Sequence, residues 1–183
     1  YFFAPDITQN TVVNHLTQKQ VDKNRNILEE SARIARGDIN PLNMLNTNEY
    51  DALAFPGGFG AALSLSSYAT KQVDCEVLED ITHIIKQAIE MKKPILATCI
   101  SPVILGKVLQ SMNLQASMTL GSSDDSIEQL NAFNMIGKSA KIDEIIIDDE
   151  LKIVTTPCYM EPANLPAMFE GIKKAAKALL ELS

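Results

Sequence analysis

One cysteine lies where a strand is predicted to end and a helix to begin. Pro94 can open a strand, and Ile95 to Thr98 form a short apolar run without helical spacing, which predicts a buried parallel strand. Ser101 and Pro102 are typical of a helix N-cap and first turn. Cys99 lies between these two elements, where the N–H groups of a helix N-terminus favour a thiolate. The stretch therefore predicts a nucleophile elbow.

The cysteines also allow a purely structural interpretation, because free cysteine is among the most buried residue types. Cys75, Cys99 and Cys158 form an odd set without C-x-x-C spacing, so they predict neither a disulfide framework nor a zinc site. A reducing compartment fits this pattern. The acidic run 148–150 could attract a metal, but without further ligands we expect a solvated turn, and we expect no metal or cofactor.

Composition sets the class of protein. The chain has 183 residues, 46% of them hydrophobic, which predicts a single domain over residues 1–183 with a sizeable core. A net charge of −7 without a basic cluster argues against nucleic acid or a membrane as the partner. No apolar run approaches the roughly 18 residues of a membrane span. Because Tyr1 to Ala4 already look like a strand, we expect a first strand and helix to be missing before them.

Alternating patterns of strand and helix predict the fold. Strands are expected at 1–4, 51–55, 95–98 and 118–120, and helices at 22–36, 74–93, from 101 onward, 124–133 and 164–182. The runs 144–147 and 151–155 are typical of an antiparallel hairpin, and 11–14 of a short extended piece. This order predicts an α/β three-layer sandwich with a mostly parallel central sheet and a late β-hairpin.

The loops that follow parallel strands meet at one edge of such a sheet. The loops after Phe55, Thr98, Leu120 and Thr155 would reach one crevice there. The residues that we expect to line a pocket around Cys99 come from these loops and are Gly57, Gly58, Phe59, Ser122 and Cys158.

Three segments together resemble a known family. They are Ala54 to Ala62 (AFPGGFGAA), Cys99 to Pro102 (CISP) and Lys152 to Met160 (KIVTTPCYM). The chain resembles, over essentially its whole length, the ElbB proteins, also called enhancing-lycopene-biosynthesis or isoprenoid-biosynthesis-associated glyoxalases. That family belongs to the ThiJ/PfpI superfamily, with the flavodoxin-like, class I glutamine-amidotransferase-like fold. The resemblance implies that Cys99 is the nucleophile and that the protein is a homodimer.

Two departures from the family pattern matter. Family members have a first strand and helix before the position of Tyr1, and the loop between them carries a glutamate that hydrogen-bonds the cysteine. No such glutamate is present in this chain. In addition, residues 63–66 read Leu-Ser-Leu-Ser where Lys-Asn-Leu-Ser is expected, which removes a charge near the crevice.

The activity that the resemblance implies is a glyoxalase that needs neither glutathione nor a cofactor. A small 2-oxoaldehyde such as glyoxal would become a 2-hydroxy acid, with a link to isoprenoid biosynthesis suggested by the family name. Cys99 would attack the aldehyde carbon, and the backbone N–H groups of Gly58 and Ile100 would hold the resulting oxyanion. The missing glutamate is the candidate for the base.

The positions of the two histidines bear on whether the chain could have another activity known for this fold. A glutamine amidotransferase needs a histidine that activates the cysteine, in a His-x-Glu motif after the nucleophile. His15 and His83 both precede Cys99, which argues against amidotransferase and cysteine protease activity. The alternative is a non-enzymatic redox-sensing or chaperone-like regulatory protein that uses Cys99. We expect a cytoplasmic protein, or a mitochondrial one if the source is eukaryotic.

Overall fold

The computed structural model of the chain describes residues 1–14, 16–162 and 164–183. It divides into two compact units, Tyr1–Thr47 and Asn48–Ser183. In the first unit, two short strands pair in parallel, two more pair as an antiparallel ribbon, and one helix follows the ribbon. These elements are β1 (Phe3–Ala4) with β4 (Asn40–Pro41), β2 (Val13–Asn14) with β3 (Lys19–Gln20), and α1 (Ile27–Ala35).

Helix α1 begins five residues later than the pattern over 22–36 predicts. The preceding residues are irregular instead, since the N–H of Gln9 donates to the carbonyl of Arg25 at 2.8 Å and Asn26 is extended in a bridge to Thr8. Asn26 caps the helix, since its side-chain oxygen accepts the N–H of Glu29 at 3.1 Å. The left-handed C-cap expected at Gly37 lies one residue earlier, at Arg36, with φ of 58° and ψ of 33°, and Gly37 follows it with φ of 84°.

The second unit contains the central sheet. Its strands lie in the order β5 (Leu53–Phe55), β6 (Ile95–Thr98), β10 (Ile153–Thr156) and β9 (Ile146–Asp148). The first three are parallel, and β9 runs antiparallel to β10, which confirms the late hairpin. A separate parallel pair joins β7 (Ser117–Gly121) to β8 (Ile136–Ser139). The predicted α/β class with a mostly parallel central sheet is confirmed.

Six helices accompany these strands within the described part of the second unit. They are α2 (Phe59–Leu63), α3 (Tyr68–Lys71), α4 (Glu79–Glu90), α5 (Pro102–Ser111), α6 (Asp124–Asn131) and α7 (Leu165–Leu182). Helix α7 packs on the sheet where its Ala175 and Ala178 meet Leu96 and Val154. The alternate residues of β6, Ile95 and Ala97, face the other side of the sheet and are fully buried. Burial on both faces explains why this strand reads as a continuous apolar run.

Two sequence expectations about this unit are wrong. The pattern over 74–93 places Cys75 in the first turn of a helix, but α4 begins only at Glu79. Residues 76–78 are extended because they pair with 65–67, as the N–H of Ser67 donates to the carbonyl of Glu76 at 2.9 Å. Cys75 is 1% exposed in the connection before this pairing. Strand β8 was not predicted, since Gly137 interrupts its apolar pattern.

The acidic run 148–150 forms the turn between β9 and β10. Asp148 accepts the N–H of Ser117 at 2.7 Å and that of Leu151 at 3.0 Å, so its carboxylate joins this turn to β7. Among the described residues, no group of three or more histidine, cysteine or carboxylate side chains could hold a metal. None of the helices in the described ranges has the length and apolar character needed to cross a membrane.

Candidate functional site

Cys99 lies in a tight turn directly after β6. Its backbone is left-handed, with φ of 56°, a conformation that a non-glycine residue adopts at a cost of about 1–3 kcal/mol. The turn is fixed on both sides, since Cys99 donates its N–H to Thr156 of β10 at 3.0 Å and Ser101 donates to the carbonyl of Thr98 at 3.0 Å. Helix α5 begins at Pro102, three residues after the cysteine. The strand, turn and helix of the predicted elbow are therefore present.

Ser101 occupies the expected cap position but does not cap the helix. Its backbone is helical, with φ of −60° and ψ of −24°, whereas a capping side chain needs an extended backbone. The hydroxyl is instead buried, and it has no hydrogen-bond partner in the described part of the chain. The helix N-terminus is thus left without a capping side chain.

A glycine loop contacts the elbow directly. Gly57 has φ of 86°, and a Cβ at this position would lie 2.6 Å from the carbonyl oxygen of Thr98 and 2.7 Å from the Cβ of Cys99. Thr98 also donates its hydroxyl to the carbonyl of Pro56 at 2.7 Å, which ties the loop to the end of β6. Only glycine fits at position 57, because both the backbone angle and the space exclude a side chain.

Two backbone N–H groups remain available beside the cysteine. Gly58 and Ile100 line the same cavity as Cys99. Within residues 1–14, 16–162 and 164–183, neither N–H has a hydrogen-bond acceptor. Unpaired N–H groups near a nucleophile are the donors that stabilise an oxyanion.

The cavity around Cys99 has a volume of about 900 Å³ and is lined mostly by apolar side chains. Among the described residues, its lining contains no carboxylate and no imidazole. Five of the residues expected near Cys99 line it, namely Gly57, Gly58, Phe59, Ile100 and Cys158. The rest of the lining comes from strands β5 and β6, the segment after β10 and helix α7, as Ala54, Phe55, Pro56, Leu96, Thr98, Tyr159, Met160, Met168 and Ile172.

Ser122 is the expected pocket residue that the structure does not bring to this cavity. Its N–H donates to the carboxylate of Glu161 at 2.6 Å, and its hydroxyl donates to the same oxygen at 2.9 Å. These bonds turn Ser122 toward the segment after β10 and away from Cys99. Glu161 was not expected to matter, since nothing in its local pattern signals this clamp between two strand ends.

Cys158 lies immediately beside the elbow. It is 5% exposed, and burial raises the pKa of its thiol. Hydrogen bonds with the Thr98 side chain and the Cys99 backbone lower this pKa in part, while the nearby Cys99 raises it. Burial likewise raises the pKa of the Cys75 thiol, which does not line the cavity. Cys99 is the most exposed of the three.

The histidines give no support for a cysteine–histidine pair. His83 is on the exposed face of α4 and does not line the cavity. His15 lies outside the described residues.

Known proteins share this architecture. No family profile matches the chain. A solved structure of an isoprenoid biosynthesis protein with an amidotransferase-like domain from Ehrlichia chaffeensis has a TM-score of 0.89 and 28% identity, covering 99% of this chain and 82% of that one. A ThiJ/PfpI domain protein from Brachyspira murdochii shares the fold, with a TM-score of 0.51 and 15% identity over 96% of this chain and 77% of that one. The fold is therefore that of the amidotransferase-like, ThiJ/PfpI class of α/β proteins.

Sequence relatives narrow this class to a family. The mitochondrial ES1 protein homolog of Rattus norvegicus is 34% identical over 192 residues, which cover 100% of this chain and 71% of the relative. The mitochondrial glutamine amidotransferase-like class 1 domain-containing protein 3 of Homo sapiens is 35% identical over 191 residues, covering 99% and 70%. The chain belongs to the family of these ES1 and glutamine amidotransferase-like class 1 domain-containing proteins.

Proposed function

We propose that the chain is a glutathione-independent glyoxalase of the ElbB type, in which Cys99 is the nucleophile. The observation that carries the proposal is the position of Cys99 in a left-handed turn beside the unpaired N–H groups of Gly58 and Ile100. A nucleophile next to two free donors is suited to attack on a carbonyl, since the donors stabilise the oxygen as it becomes negative.

The reaction would begin when the Cys99 thiolate adds to the aldehyde carbon of a 2-oxoaldehyde to give a hemithioacetal. The hemithioacetal oxygen would accept hydrogen bonds from the backbone N–H groups of Gly58 and Ile100. A base then removes the proton from that carbon while the neighbouring carbonyl oxygen gains a proton, which gives an enediol. The base returns its proton to the neighbouring carbon, which then carries the hydroxyl group, and the first oxygen loses its proton and becomes the carbonyl of a thioester. The thioester that results is hydrolysed by water to the 2-hydroxy acid and the free thiol. The resemblance to ElbB proteins assigns the base to a glutamate that precedes the position of Tyr1.

The cellular setting of this proposal comes from the relatives. The rat and human relatives are named mitochondrial, and the Ehrlichia protein is named for isoprenoid biosynthesis. We infer a role linked to isoprenoid biosynthesis, in the cytoplasm or, in a eukaryote, the mitochondrion. The homodimer implied by the resemblance stays a prediction.

Amidotransferase activity has weaker support despite the names of the relatives. A cysteine that cleaves glutamine is activated by an adjacent base, normally an imidazole. The described lining of the cavity contains none. We therefore expect no glutamine hydrolysis.

A turnover assay separates these possibilities. The protein is incubated with glyoxal, with methylglyoxal and with glutamine, and the 2-hydroxy acid or the ammonia released is measured. Aldehyde turnover that is lost in Cys99→Ala and retained in Cys75→Ala supports the proposal. Release of ammonia from glutamine, or full aldehyde turnover by Cys99→Ala, contradicts it.

A second candidate function is redox sensing by Cys99 without turnover. The observation that favours it is the thiol of Cys158, which lies against the elbow. Negligible turnover of every aldehyde, together with rapid and reversible oxidation of Cys99, would select this function.

A further inference from the structure

A second cysteine follows the strand next to the nucleophile. Strands β6 and β10 are parallel, with Thr98 opposite Thr156 in register. The pairing continues one residue further, since Cys99 donates its N–H to the carbonyl of Thr156. Cys158 lies two residues after this point, so both cysteines are in the first turn beyond paired strands. Neighbouring strands are about 4.8 Å apart, so the two segments that carry the cysteines leave the sheet side by side.

The side chain of Cys158 points toward the elbow. Its thiol is close enough to the side chain of Thr98, the last residue of β6, and to the backbone of Cys99 for both to influence its pKa. Both cysteines line the same cavity and both are free thiols. Each has a left-handed backbone, with φ of 56° at Cys99 and 49° at Cys158. Two independent turns thus bring two thiols to one edge of the sheet.

The two thiols differ in how far solvent reaches them. Cys99 is half-buried and open to the cavity, whereas Cys158 is 5% exposed. A dissolved oxidant therefore meets Cys99 first. Cys158 is protected from direct oxidation, but it needs no solvent access to react with a sulfur atom that lies beside it. An accessible thiol with a sheltered neighbour is the arrangement found where one cysteine is oxidised and another resolves it.

We propose that Cys99 and Cys158 form a reversible disulfide after a hydroperoxide has oxidised Cys99. The Cys99 thiolate attacks one peroxide oxygen, and the O–O bond breaks, giving a sulfenic acid on Cys99 and an alkoxide, or hydroxide from hydrogen peroxide, which takes a proton from solvent. The sulfur of Cys158 then attacks the sulfur of Cys99, and the S–O bond breaks. The leaving hydroxide takes the proton of the Cys158 thiol as water. Two electrons have passed from the thiol pair to the peroxide, and a dithiol reductant restores them.

The disulfide would remove the nucleophile of the proposed glyoxalase while protecting it from sulfinic acid, which is not reduced by thiols. Formation of the bond does not itself depend on the proposed function. A protein without aldehyde turnover can still form it, and an active glyoxalase can lack it. The test therefore measures the covalent state of Cys99 and Cys158, and not enzymatic activity.

Peptide mapping under non-reducing conditions tests the proposal. The reduced full chain is treated with increasing hydrogen peroxide, with dimedone present in parallel samples to trap sulfenic acid. In the wild-type chain and in the control Cys75→Ala, we expect one linked peptide pair that joins Cys99 to Cys158 and separates with dithiothreitol. In Cys158→Ala, we expect no linked pair, several-fold more dimedone adduct on Cys99, and progression to sulfinic acid.

Two results would overturn the proposal. One is wild-type chain in which Cys99 becomes sulfenic or sulfinic acid while Cys158 stays a free thiol. The other is equal dimedone labelling of Cys99 in wild type and Cys158→Ala. Because Cys158 is buried, thermal unfolding of Cys158→Ala and of the closer isostere Cys158→Ser is measured first, and the labelling comparison uses whichever variant keeps the wild-type melting temperature. If neither does, the wild-type peptide map alone decides the outcome.

Discussion

The contact between the glycine loop and the elbow makes a quantitative prediction at Gly57. In Gly57→Ala, the new methyl group would lie 2.6 Å from the carbonyl oxygen of Thr98 and 2.7 Å from the Cβ of Cys99, where ordinary contact begins at 3.4 Å. The loop or the elbow must shift to make room. Placing a side chain at φ of 86° costs about 1–2 kcal/mol, and the overpacking adds about 1–3 kcal/mol.

Gly37, with almost the same φ, serves as the matched control. It has φ of 84°, and a Cβ at this position would meet nothing within 4 Å. Gly37→Ala therefore carries the backbone strain of about 1–2 kcal/mol without the collision. The difference in the free energy of unfolding between Gly57→Ala and Gly37→Ala isolates the contact with the elbow. Gly58 is no such control, because its ψ of 171° lies in a region that essentially only glycine occupies.

Two measurements follow from this design. Urea unfolding gives the free energies by linear extrapolation, and we expect Gly57→Ala to be less stable than Gly37→Ala by about 1–3 kcal/mol. The rate at which iodoacetamide alkylates Cys99 and the rate of aldehyde turnover both show whether the geometry of the elbow has changed. A displacement near 1 Å costs about 100-fold in rate, so turnover should fall on that order in Gly57→Ala and stay unchanged in Gly37→Ala. Equal stability and equal Cys99 reactivity in Gly57→Ala and Gly37→Ala would refute the argument.

Three further predictions concern the thiols and the clamp at Glu161. Iodoacetamide at neutral pH should alkylate Cys99 before Cys75 and Cys158, because burial shields the other two and raises their pKa; mass spectrometry that finds Cys75 labelled first would contradict this. The free energy of unfolding should fall as pH rises above 9.0, the ordinary pKa of these thiols, since the folded state then holds protons that the unfolded state has released. Cys75→Ala and Cys158→Ala should each lessen this fall. An unchanged slope of unfolding free energy against pH in both variants would contradict the prediction. Glu161→Ala should lose about 0.5–1.5 kcal/mol, because it removes the acceptor of the Ser122 N–H and hydroxyl at an exposed site where water can replace it. Ser122→Ala, which keeps the backbone N–H, should lose less. Equal losses in urea unfolding would show that the hydroxyl alone carries the clamp.

The parts of the fold that were predicted correctly are those in which local pattern and tertiary burial agree. Strand β6 was predicted with its observed ends because Pro94 opens it and all four of its residues are buried, so the apolar run is uninterrupted. Helix α7 was predicted within one residue, since Asn164 caps it and its apolar residues keep helical spacing. In both elements, one residue type marks a boundary and burial maintains the pattern.

The errors occur where pairing between distant segments overrides local preference. Residues 74–78 continue the helical spacing of α4, but 76–78 pair with 65–67 and are extended. Residues 22–25 similarly precede α1 without helical structure, because residue 25 bonds to residue 9 and residue 26 bridges to residue 8. Neither pairing has a signal in the segment itself. A period of apolar residues therefore identifies a helix well and its first residue poorly.

The candidate site shows the same division between local and distant information. The elbow could be predicted because a strand, a cysteine and a helix start are consecutive in sequence. A close approach of the glycine loop follows from residue type, but only the structure shows that Gly57, and not Gly58, makes the contact. The sequence could place Cys158 at the same sheet edge as Cys99 but not directly beside it. Neither strand sequence determines the register that sets Thr98 opposite Thr156. Ser122 was placed in the pocket by the same edge argument, yet Glu161 holds it elsewhere. Strand order therefore limits which residues can meet, and individual hydrogen bonds decide which of them do.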